Sequence, residues 1–309
     1  MTQQLIHYLL FPGLLFMVIA GGFLSWFDRK ITAWVQFRKG PPLLQPLYDF
    51  VKLMVKETIL PRNASRVTFL LSPIFAATGA IIAGLMILLP AFGVSAGFDG
   101  DIIVIFYVLA IPSLSYIIGA LSSGNLLASV GASREMKLII GYELCFLLIL
   151  AAIILKSGYQ LDLAGIVAVQ QADGAFIGSV SGVLLFVALM MCIQAKLGMV
   201  PFDAAEAETE IASGFLIEYS GPPLAFIKLS KYILILVLPV LVVSLMLGGL
   251  NLNGWGIIWA VLKILLVVLL VTLVRNTNPR LTIKQSMRFF FIWMNLLVIA
   301  AIVLEYMGL

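Results

Sequence analysis

The sequence predicts an all-α, polytopic membrane protein. Of its 309 residues, 62% are hydrophobic and only 11% are charged, whereas soluble domains are roughly 45–50% apolar and about 25% charged. Apolar runs longer than about 18 residues, enough to cross the hydrocarbon core of a bilayer, recur along the whole chain. A water-soluble globular protein is therefore excluded, and residues 1–309 are expected to form a single integral membrane domain.

Eight apolar runs are candidate membrane-spanning helices. They lie at about 5–26, 67–92, 102–121, 136–155, 177–198, 222–247, 255–274 and 288–307. The first run is expected to remain as a helix rather than to be cleaved as a signal peptide. Residues 1–8 lack a basic n-region, and the run continues directly into Trp26, Asp28 and Arg29.

The connections between these helices differ in charge, which predicts their orientation. Every one of the 19 Lys and Arg residues except Lys156 and Lys263 lies in or beside a connection that follows an odd-numbered helix. Cytoplasmic loops of membrane proteins are enriched in Lys and Arg. Segments 27–66, 122–135, 199–221 and 275–287 are therefore predicted to be cytoplasmic. Both termini are then predicted to lie outside a cell (inner) membrane.

The composition also argues against several kinds of site. The net charge of +4 is small for this length, and no basic cluster is interleaved with stacking aromatics, so no nucleic acid is expected as a partner. Cys145 and Cys192 are too few for a disulfide framework or a four-ligand metal site. His7 is the only histidine. This chain is therefore expected to bind no metal or other cofactor and to catalyse no reaction alone.

A helix of about 18 residues is predicted in the first cytoplasmic loop, between Pro42 and Pro61. Its polar residues recur at helical spacing, opposite an apolar stripe; they are Gln45, Asp49, Lys52 and Lys56. The pattern is typical of an amphipathic helix at the membrane interface. Two interpretations remain open, a membrane-surface anchor and a docking surface for a peripheral protein of the same complex.

Glu143 lies about two turns inside the fourth predicted helix. A carboxyl group at membrane depth is costly unless it is paired, hydrated or neutral, so it is a candidate for function. Burial and nearby cations act on the protonation of such a group in opposite directions, so it can be poised to take up and release protons. The alternative is a static buried ion pair.

Five of the 15 acidic residues fall within sixteen positions after Pro201. They are Asp203, Glu206, Glu208, Glu210 and Glu218. If the chain continues as a helix beyond the proline, Asp203, Glu206 and Glu210 share one face and Glu208 turns away. At least one pKa in such a crowd of carboxyl groups is expected to be raised. The segment is predicted to hold protons, and the alternative is a solvated acidic loop.

Lys263 lies in the middle of the seventh predicted helix. A lysine at a helix centre costs ~2.5–3.5 kcal/mol on insertion scales. It is therefore expected to meet a carboxylate, either Glu143 or the acidic segment, across a hydrated interior. Snorkelling to the membrane surface is the weaker alternative.

These residues give the chain, over essentially its whole length, a close resemblance to one family. It resembles the H subunit of proton-pumping respiratory complex I and its counterparts in membrane-bound energy-converting nickel–iron hydrogenases. The residues that carry the resemblance are Asp28, Arg29, Lys30, Arg38, Gly40, Pro41, Gln45, Pro46, Asp49, Lys52, Leu53, Lys56 and Glu57, then Gly131, Ser133, Arg134, Tyr142 and Glu143, the run from Pro201 to Glu210, Gly214, Glu218, Tyr219, Ser220 and Gly221, and finally Lys263, Arg275, Pro279, Arg280 and Gln285.

The resemblance implies roles for these residues. It implies a proton channel formed by Glu143, Asp203, Glu206, Glu208, Glu210 and Glu218. Arg134 and Lys263 are expected to set the pKa values of these carboxyl groups. Docking of the peripheral arm, or a quinone-like chamber, is expected to involve Arg29, Arg38, Gln45, Asp49, Lys52, Lys56 and Arg280. No residue of this chain is expected to be catalytic or to bind a metal.

The segment from Gly40 to Pro46, with Asp28, favours the hydrogenase branch of the family. The resemblance then implies a membrane-anchoring subunit that links ferredoxin and hydrogen electron transfer to proton or sodium translocation. Its partners would be hydrogenase-like large and small subunits, iron–sulfur subunits and antiporter-like membrane subunits, within the lipid bilayer. The nickel–iron site and iron–sulfur clusters would lie in those partners.

Two alternatives remain. In the first, the chain forms the quinone chamber of an NADH:quinone or related oxidoreductase, and only then is a quinone expected as a ligand. In the second, it is an independent secondary ion transporter. The long charged loops, and the apparent lack of the internal repeats that mark many transporters, argue against the latter.

Overall fold

The computed structural model describes residues 2–95 and 97–307, without the side chains of residues 2–5 and 209. Met1, Ala96, Gly308 and Leu309, which belong to the expected single domain, lie outside the described residues. Within the described ranges the secondary structure is helical, and no strand occurs. The prediction of an all-α membrane protein is confirmed.

The helices follow one another with short connections. In chain order they are α1 (Thr2–Leu9), α2 (Leu14–Val35), α3 (Gln45–Val55), α4 (Arg66–Ala91), α5 (Asp101–Val108), α6 (Ile111–Ser122), α7 (Leu126–Lys156), α8 (Leu163–Asp173), α9 (Val180–Lys196), α10 (Glu208–Ile211), α11 (Gly221–Met246), α12 (Gly256–Thr277), α13 (Ile283–Arg288) and α14 (Asn295–Tyr306), with a π-helical turn, Phe289–Met294, joining the last two.

Seven helical segments in the described part of the chain are long and apolar enough to cross a membrane. They are Ile6–Val35, Arg66–Ala91, Asp101–Ser122, Leu126–Lys156, Gly221–Met246, Gly256–Thr277 and Ile283–Tyr306. The shorter apolar helix α9 occupies the position of the fifth predicted span. All eight predicted spans therefore correspond to apolar helices.

Two of the predicted loops begin or end at the wrong residue. Segment 27–66 was expected as a loop, yet α2 continues to Val35. Segment 122–135 was also expected as a loop, yet α7 begins at Leu126 because the Asn125 side chain accepts a hydrogen bond from the Leu127 N–H and caps the helix. The third predicted span is confirmed as Asp101–Ser122, with a division between α5 and α6. The division lies where Pro112 has no N–H to donate to the Val108 carbonyl.

Helix α11 forms the centre of the bundle. It packs against α2, α3, α4, α8, α9 and α12. Every residue from Tyr232 to Met246 is buried. A helix that is apolar on all sides is stable when neighbours cover it completely, so this helix is the core around which the others are arranged.

The close contact between α2 and α11 depends on a glycine. A Cβ at Gly21 would lie 2.0 Å from the Tyr232 carbonyl oxygen. That neighbour is backbone and cannot rotate away. A Cβ at the adjacent Gly22 would meet only the Pro46 Cβ, at 3.9 Å, which is ordinary contact.

Helix α3 is the predicted amphipathic helix, but it has 11 residues rather than about 18. It ends at Val55 because Lys56 is extended. The chain beyond then runs beside the start of α11, where the Ile59 N–H donates to the Ser220 hydroxyl. The apolar side chains of Leu47 and Val51 are exposed on the bundle surface. This is the position expected of a helix at the membrane interface.

One ion pair attaches α3 to α2, because the Arg29 guanidinium donates to Asp49 at 3.0 Å. Within α3, the Gln45 amide donates to the other Asp49 oxygen at 2.8 Å. Burial raises the pKa of Asp49, but the hydrogen bonds from Arg29 and Gln45 outweigh it, so that the net pKa lies below the ordinary 3.8. The ionised carboxylate therefore stabilises the attachment.

We predict that Gly21→Ala destabilises the protein by about 1–3 kcal/mol, because the new methyl group forces α2 away from α11. Thermal unfolding of the purified complex measures this. Gly22→Ala is the matched control and should leave the midpoint nearly unchanged. Equal midpoints for the two variants would show that the α2–α11 contact is not as close as the geometry requires.

We predict that Asp49→Asn loosens α3. Amide hydrogen exchange in residues 45–55 should become roughly 1.4- to fivefold faster at neutral pH, since partly exposed ion pairs contribute ~0.2–1 kcal/mol. Lys52→Ala, which changes an exposed charge on the same helix, serves as the control.

The same pair predicts a pH dependence. Because the Asp49 pKa is lower in the folded state, its contribution is present above about pH 3.8 and is lost as the pH falls through the folded pKa. The difference in exchange between wild type and Asp49→Asn should therefore disappear in acid. A difference that persists unchanged there would contradict the assignment.

Candidate functional site

A cavity of about 260 Å³ lies at the end of the bundle that the charge distribution predicts to be cytoplasmic. Charged side chains of both signs line it. They are Asp28, Arg29, Glu135, Lys196, Asp203, Glu206, Lys228, Lys231 and Arg275. A polar cavity of this size has room for several water molecules. It is therefore a place where protons can move between carboxyl groups, amines and water.

The acidic segment lies along this cavity, but it is not the predicted helical continuation. Residues 201–207 form turns, and α10 has only four residues. The three carboxylates that were expected on one face instead reach cations on three different elements. Asp203 accepts from Arg280 at 2.8 Å, Glu206 pairs with Lys231, and Glu210 accepts from Arg134 at 2.7 Å.

The expectation of one shared helical face is thus wrong, for an electrostatic reason. Three carboxylates on one face repel one another, whereas an irregular loop directs them to separate cations. Glu208, which was expected to turn away, is exposed. The last acidic residue of the segment, Glu218, accepts a hydrogen bond from the Asn125 amide at 2.5 Å. The loop is therefore held against α7, α11 and the segment before α13.

Asp203 is the most buried carboxylate of the acidic segment, with 8% of its surface exposed. Burial raises the pKa of Asp203 above its ordinary value, and neither the nearby Arg280 guanidinium nor the other favourable contacts cancel this effect. Glu206 contributes a smaller increase. The expectation of a raised pKa in this segment is met, but its main cause is burial rather than the crowding of like charges.

Glu143 forms an ion pair deep in the bundle. The Lys196 ammonium, at the end of α9, lies 2.5 Å from one Glu143 oxygen. It also lies 5.3 Å and 5.1 Å from the ring centres of Tyr142 and Phe146. The second Glu143 oxygen is buried and has no hydrogen-bond partner among the described residues. This oxygen is free to accept a proton or a water molecule.

Asp28 forms a second buried pair on the cavity wall. It accepts hydrogen bonds from Arg275 at 2.7 Å and from Thr272 at 2.9 Å. Only 4% of its surface is exposed. The pair joins α2 to α12 on the wall of the cavity.

Lys263 does not pair as expected. Its ammonium donates to the backbone carbonyls of Leu247 and Gly249, at 2.5 Å and 3.2 Å. These carbonyls lie just beyond α11, at the end of the bundle opposite Lys196. Because α12 begins at Gly256, Lys263 is only about two turns from a helix end and snorkels to that end. The predicted pairing with Glu143 or the acidic segment is therefore wrong.

The residues expected to dock the peripheral arm lie at the same end as the cavity. Arg38, Lys52 and Lys56 are exposed, whereas Arg29 and Gln45 are occupied by Asp49. Arg280 is paired with Asp203. Their role in docking stays a prediction.

The sequence did not single out four residues that the structure places at the site. These are Lys196, Lys231, Glu135 and Tyr116, all of which line the cavity. The lysines were counted only as topological charges. The available signal was position along the helix. Lys196 is the last residue of α9, where it reaches Glu143 of α7, and Lys231 lies about three turns into α11, where it reaches Glu206 of the acidic segment.

Among the described residues, no group of three or more His, Cys, Asp or Glu side chains is arranged to hold a metal ion. The lysine pairs at the site offer protonation chemistry. Glu143 with Lys196, and Glu206 with Lys231, can exchange a proton with one another or with water, whereas the arginine partners keep their charge.

Comparisons with known proteins agree over nearly the whole chain. A model of the family described as NADH dehydrogenase matches residues 7–306. The H subunit of the NADH-quinone oxidoreductase of Rhodospirillum rubrum is 33% identical over 286 residues, covering 88% of this chain and 84% of the relative. The corresponding H subunit of Thermomicrobium roseum is 34% identical over 311 residues, covering 92% and 91%.

A solved structure has the same fold. It is a chain of the membrane-bound sulfane sulfur reductase, an archaeal respiratory membrane complex. The TM-score is 0.85 at 25% sequence identity, and the match covers 94% of this chain and 96% of that chain.

These matches extend across every helix that lines the cavity. Proteins of this kind carry no cofactor of their own, and their partners in the complex hold the redox centres. The chain therefore belongs to the NADH dehydrogenase family, and it is a multi-pass membrane component, similar to the H subunits named above, of a respiratory complex of the complex I type.

Proposed function

We propose that this chain couples electron transfer in attached subunits to the translocation of protons or sodium ions. One observation carries the proposal: a series of paired carboxylates runs from the cavity into the bundle. Glu206 with Lys231 lies at the cavity wall, and Glu143 with Lys196 lies deeper. Charged groups at membrane depth mark ion and proton pathways more often than they serve structure alone.

The pairs respond to charge because they lie in a poorly solvated interior. A redox event in an attached protein changes the charge near the cavity, and this change alters the balance between ionised and neutral forms of each pair. When a proton moves from the Lys196 ammonium to the Glu143 carboxylate, both groups become neutral and the attraction between them is lost. The next ionisable group in the series then experiences a different electric field.

The charged end of the bundle is the surface on which the peripheral arm would dock. Arg38, Lys52 and Lys56 extend from the surface beside the cavity. In the proposed orientation this end faces the cytoplasm and both termini lie outside the cell membrane. Antiporter-like subunits would then receive the coupled signal within the bilayer.

For the attached arm we propose a hydrogenase, in which partners carry the nickel–iron site and use ferredoxin electrons. The support is the segment from Gly40 to Pro46, which resembles the hydrogenase branch, and Asp28 on the cavity wall. Asp28 is fixed by Arg275 and Thr272, so this part of the wall is occupied by an internal pair.

The second candidate is a quinone chamber, and a separate observation favours it. Relatives that cover most of the chain are named as subunits of NADH-quinone oxidoreductases. The cavity beside Met199 and Phe202 also offers apolar as well as polar walls. Because relatives are named as subunits, an independent transporter is the least supported role.

Purification of the intact complex distinguishes the hydrogenase from the quinone chamber. We expect hydrogenase-like large and small subunits, nickel, and hydrogen formation from reduced ferredoxin. A complex that contains NADH-oxidising subunits, lacks nickel and reduces a quinone would overturn the hydrogenase assignment and support the quinone chamber.

We predict that removing the deep pair uncouples the complex. Glu143→Gln alone leaves the Lys196 charge buried and unpaired, which costs on the order of 3–5 kcal/mol, so the double variant Glu143→Gln with Lys196→Met is the better test. It should assemble, yet the number of ions moved per electron in proteoliposomes should fall at least about tenfold, because positioned proton-transfer groups contribute ~10²–10⁴-fold.

Asp173→Asn provides the control, since Asp173 is exposed at the opposite end of the bundle. It should translocate ions as the wild type does. If the double variant also retains the wild-type ratio, the deep pair has no part in translocation and the proposal is wrong.

A further inference from the structure

Glu135 is a buried carboxylate on the cavity wall. It belongs to α7, and 8% of its surface is exposed. The described residues form seven ion pairs within 4.0 Å, and none of them includes Glu135. Ser113 donates a hydrogen bond to it. A buried acidic group without a cation contact is costly, which indicates a purpose other than packing.

Glu135 shares the cavity with members of both pairs of the proposed series. Glu206 and Lys231 line this cavity. So does Lys196, the partner of Glu143. The two glutamates of α7 are eight residues apart, about 12 Å along the helix axis. That distance is too long for a direct proton transfer, so an intermediate group is required.

The groups between these glutamates connect them. The Tyr142 hydroxyl donates to Ser113 at 3.3 Å, and Ser113 also contacts Glu135. The Tyr142 ring is beside the Lys196 ammonium. Hydrogen-bonding side chains thus extend from Glu135 to the neighbourhood of the deep pair.

Among the cavity-lining groups, Glu135 differs from the paired carboxylates in the free-energy cost of binding a proton. A proton that binds Glu206 or Asp203 must first weaken an ion pair, with Lys231 or Arg280. A proton that binds Glu135 breaks no such contact. A buried carboxyl group of this kind changes its protonation without the loss of an ion pair.

We propose that Glu135 is the carboxyl group that carries protons from the cavity to the Glu143–Lys196 pair. The inference rests on the proposed function and assigns it one further residue. Each step is balanced. Lys196 gives a proton to the Glu143 carboxylate, which leaves both neutral. The neutral amine then takes the proton from the Glu135 carboxyl group, and the resulting carboxylate is reprotonated by Glu206 or by water in the cavity.

The test uses the intact complex in proteoliposomes, with Glu135→Gln, Glu135→Asp and Asp173→Asn. Glu135→Gln preserves shape but has no titrating group. The ions moved per electron should fall about tenfold or more in this variant, as expected for the loss of a positioned proton-transfer group. Asp173→Asn should match the wild type.

Infrared difference spectra during turnover provide a readout that a structural role would not change. We expect a protonated-carboxyl band in the wild type that shifts in Glu135→Asp and is absent in Glu135→Gln. If Glu135→Gln does not assemble, the Asp variant still decides: a band identical to that of the wild type would show that Glu135 carries no proton.

Comparison with the double variant at Glu143 and Lys196 separates the two proposals. If that variant loses translocation while Glu135→Gln retains the full ratio, the role of Glu135 is wrong and the proposed function stands. If both variants translocate ions normally, the proposed function is wrong and the role of Glu135 fails with it.

Discussion

The need to pair charge in a poorly solvated interior determines much of this structure. An isolated charge at a helix centre costs ~2.5–3.5 kcal/mol even on insertion scales. Buried pairs recover that cost only when both partners are held in good geometry. In the acidic segment, the part-buried pairs Asp203–Arg280 and Glu206–Lys231, together with the exposed pair Glu210–Arg134, fix the chain to three separate elements. The positions of these cations therefore determine the course of the loop.

The apolar core and the charged end depend on each other. Helix α11 is buried from Tyr232 to Met246 and supplies a rigid centre. Its first turns carry Lys228 and Lys231, which line the cavity. The neighbours of α11 pack closely against it, and α2 does so through Gly21. These lysines are therefore held at fixed distances from the carboxylates. Rigid positioning allows a small change in charge to act on protonation rather than on conformation.

The sequence predicted the spans well because hydropathy is a property of each segment alone. It predicted α3 for the same reason, from the spacing of Gln45 and Asp49. The pairing of charges was not predictable, since it depends on where separate helices place their ends. Lys263 was assigned to a helix centre and lies near an end, whereas Lys196 was counted as a loop charge and holds Glu143. Neither outcome is visible in local sequence.

In the proposed function, the coupling residues lie in this chain and the terminal chemistry lies in its partners. The same fold occurs in proteins named for quinone reduction and for sulfane sulfur reduction. An ion pair such as Glu143–Lys196 responds to a change in field, whatever acceptor produces it. Differences between complexes are therefore expected where the chain faces its partners, at Asp28 and the connection before α3. The role proposed for the Glu143–Lys196 pair is therefore compatible with a hydrogenase or with a quinone as the partner chemistry.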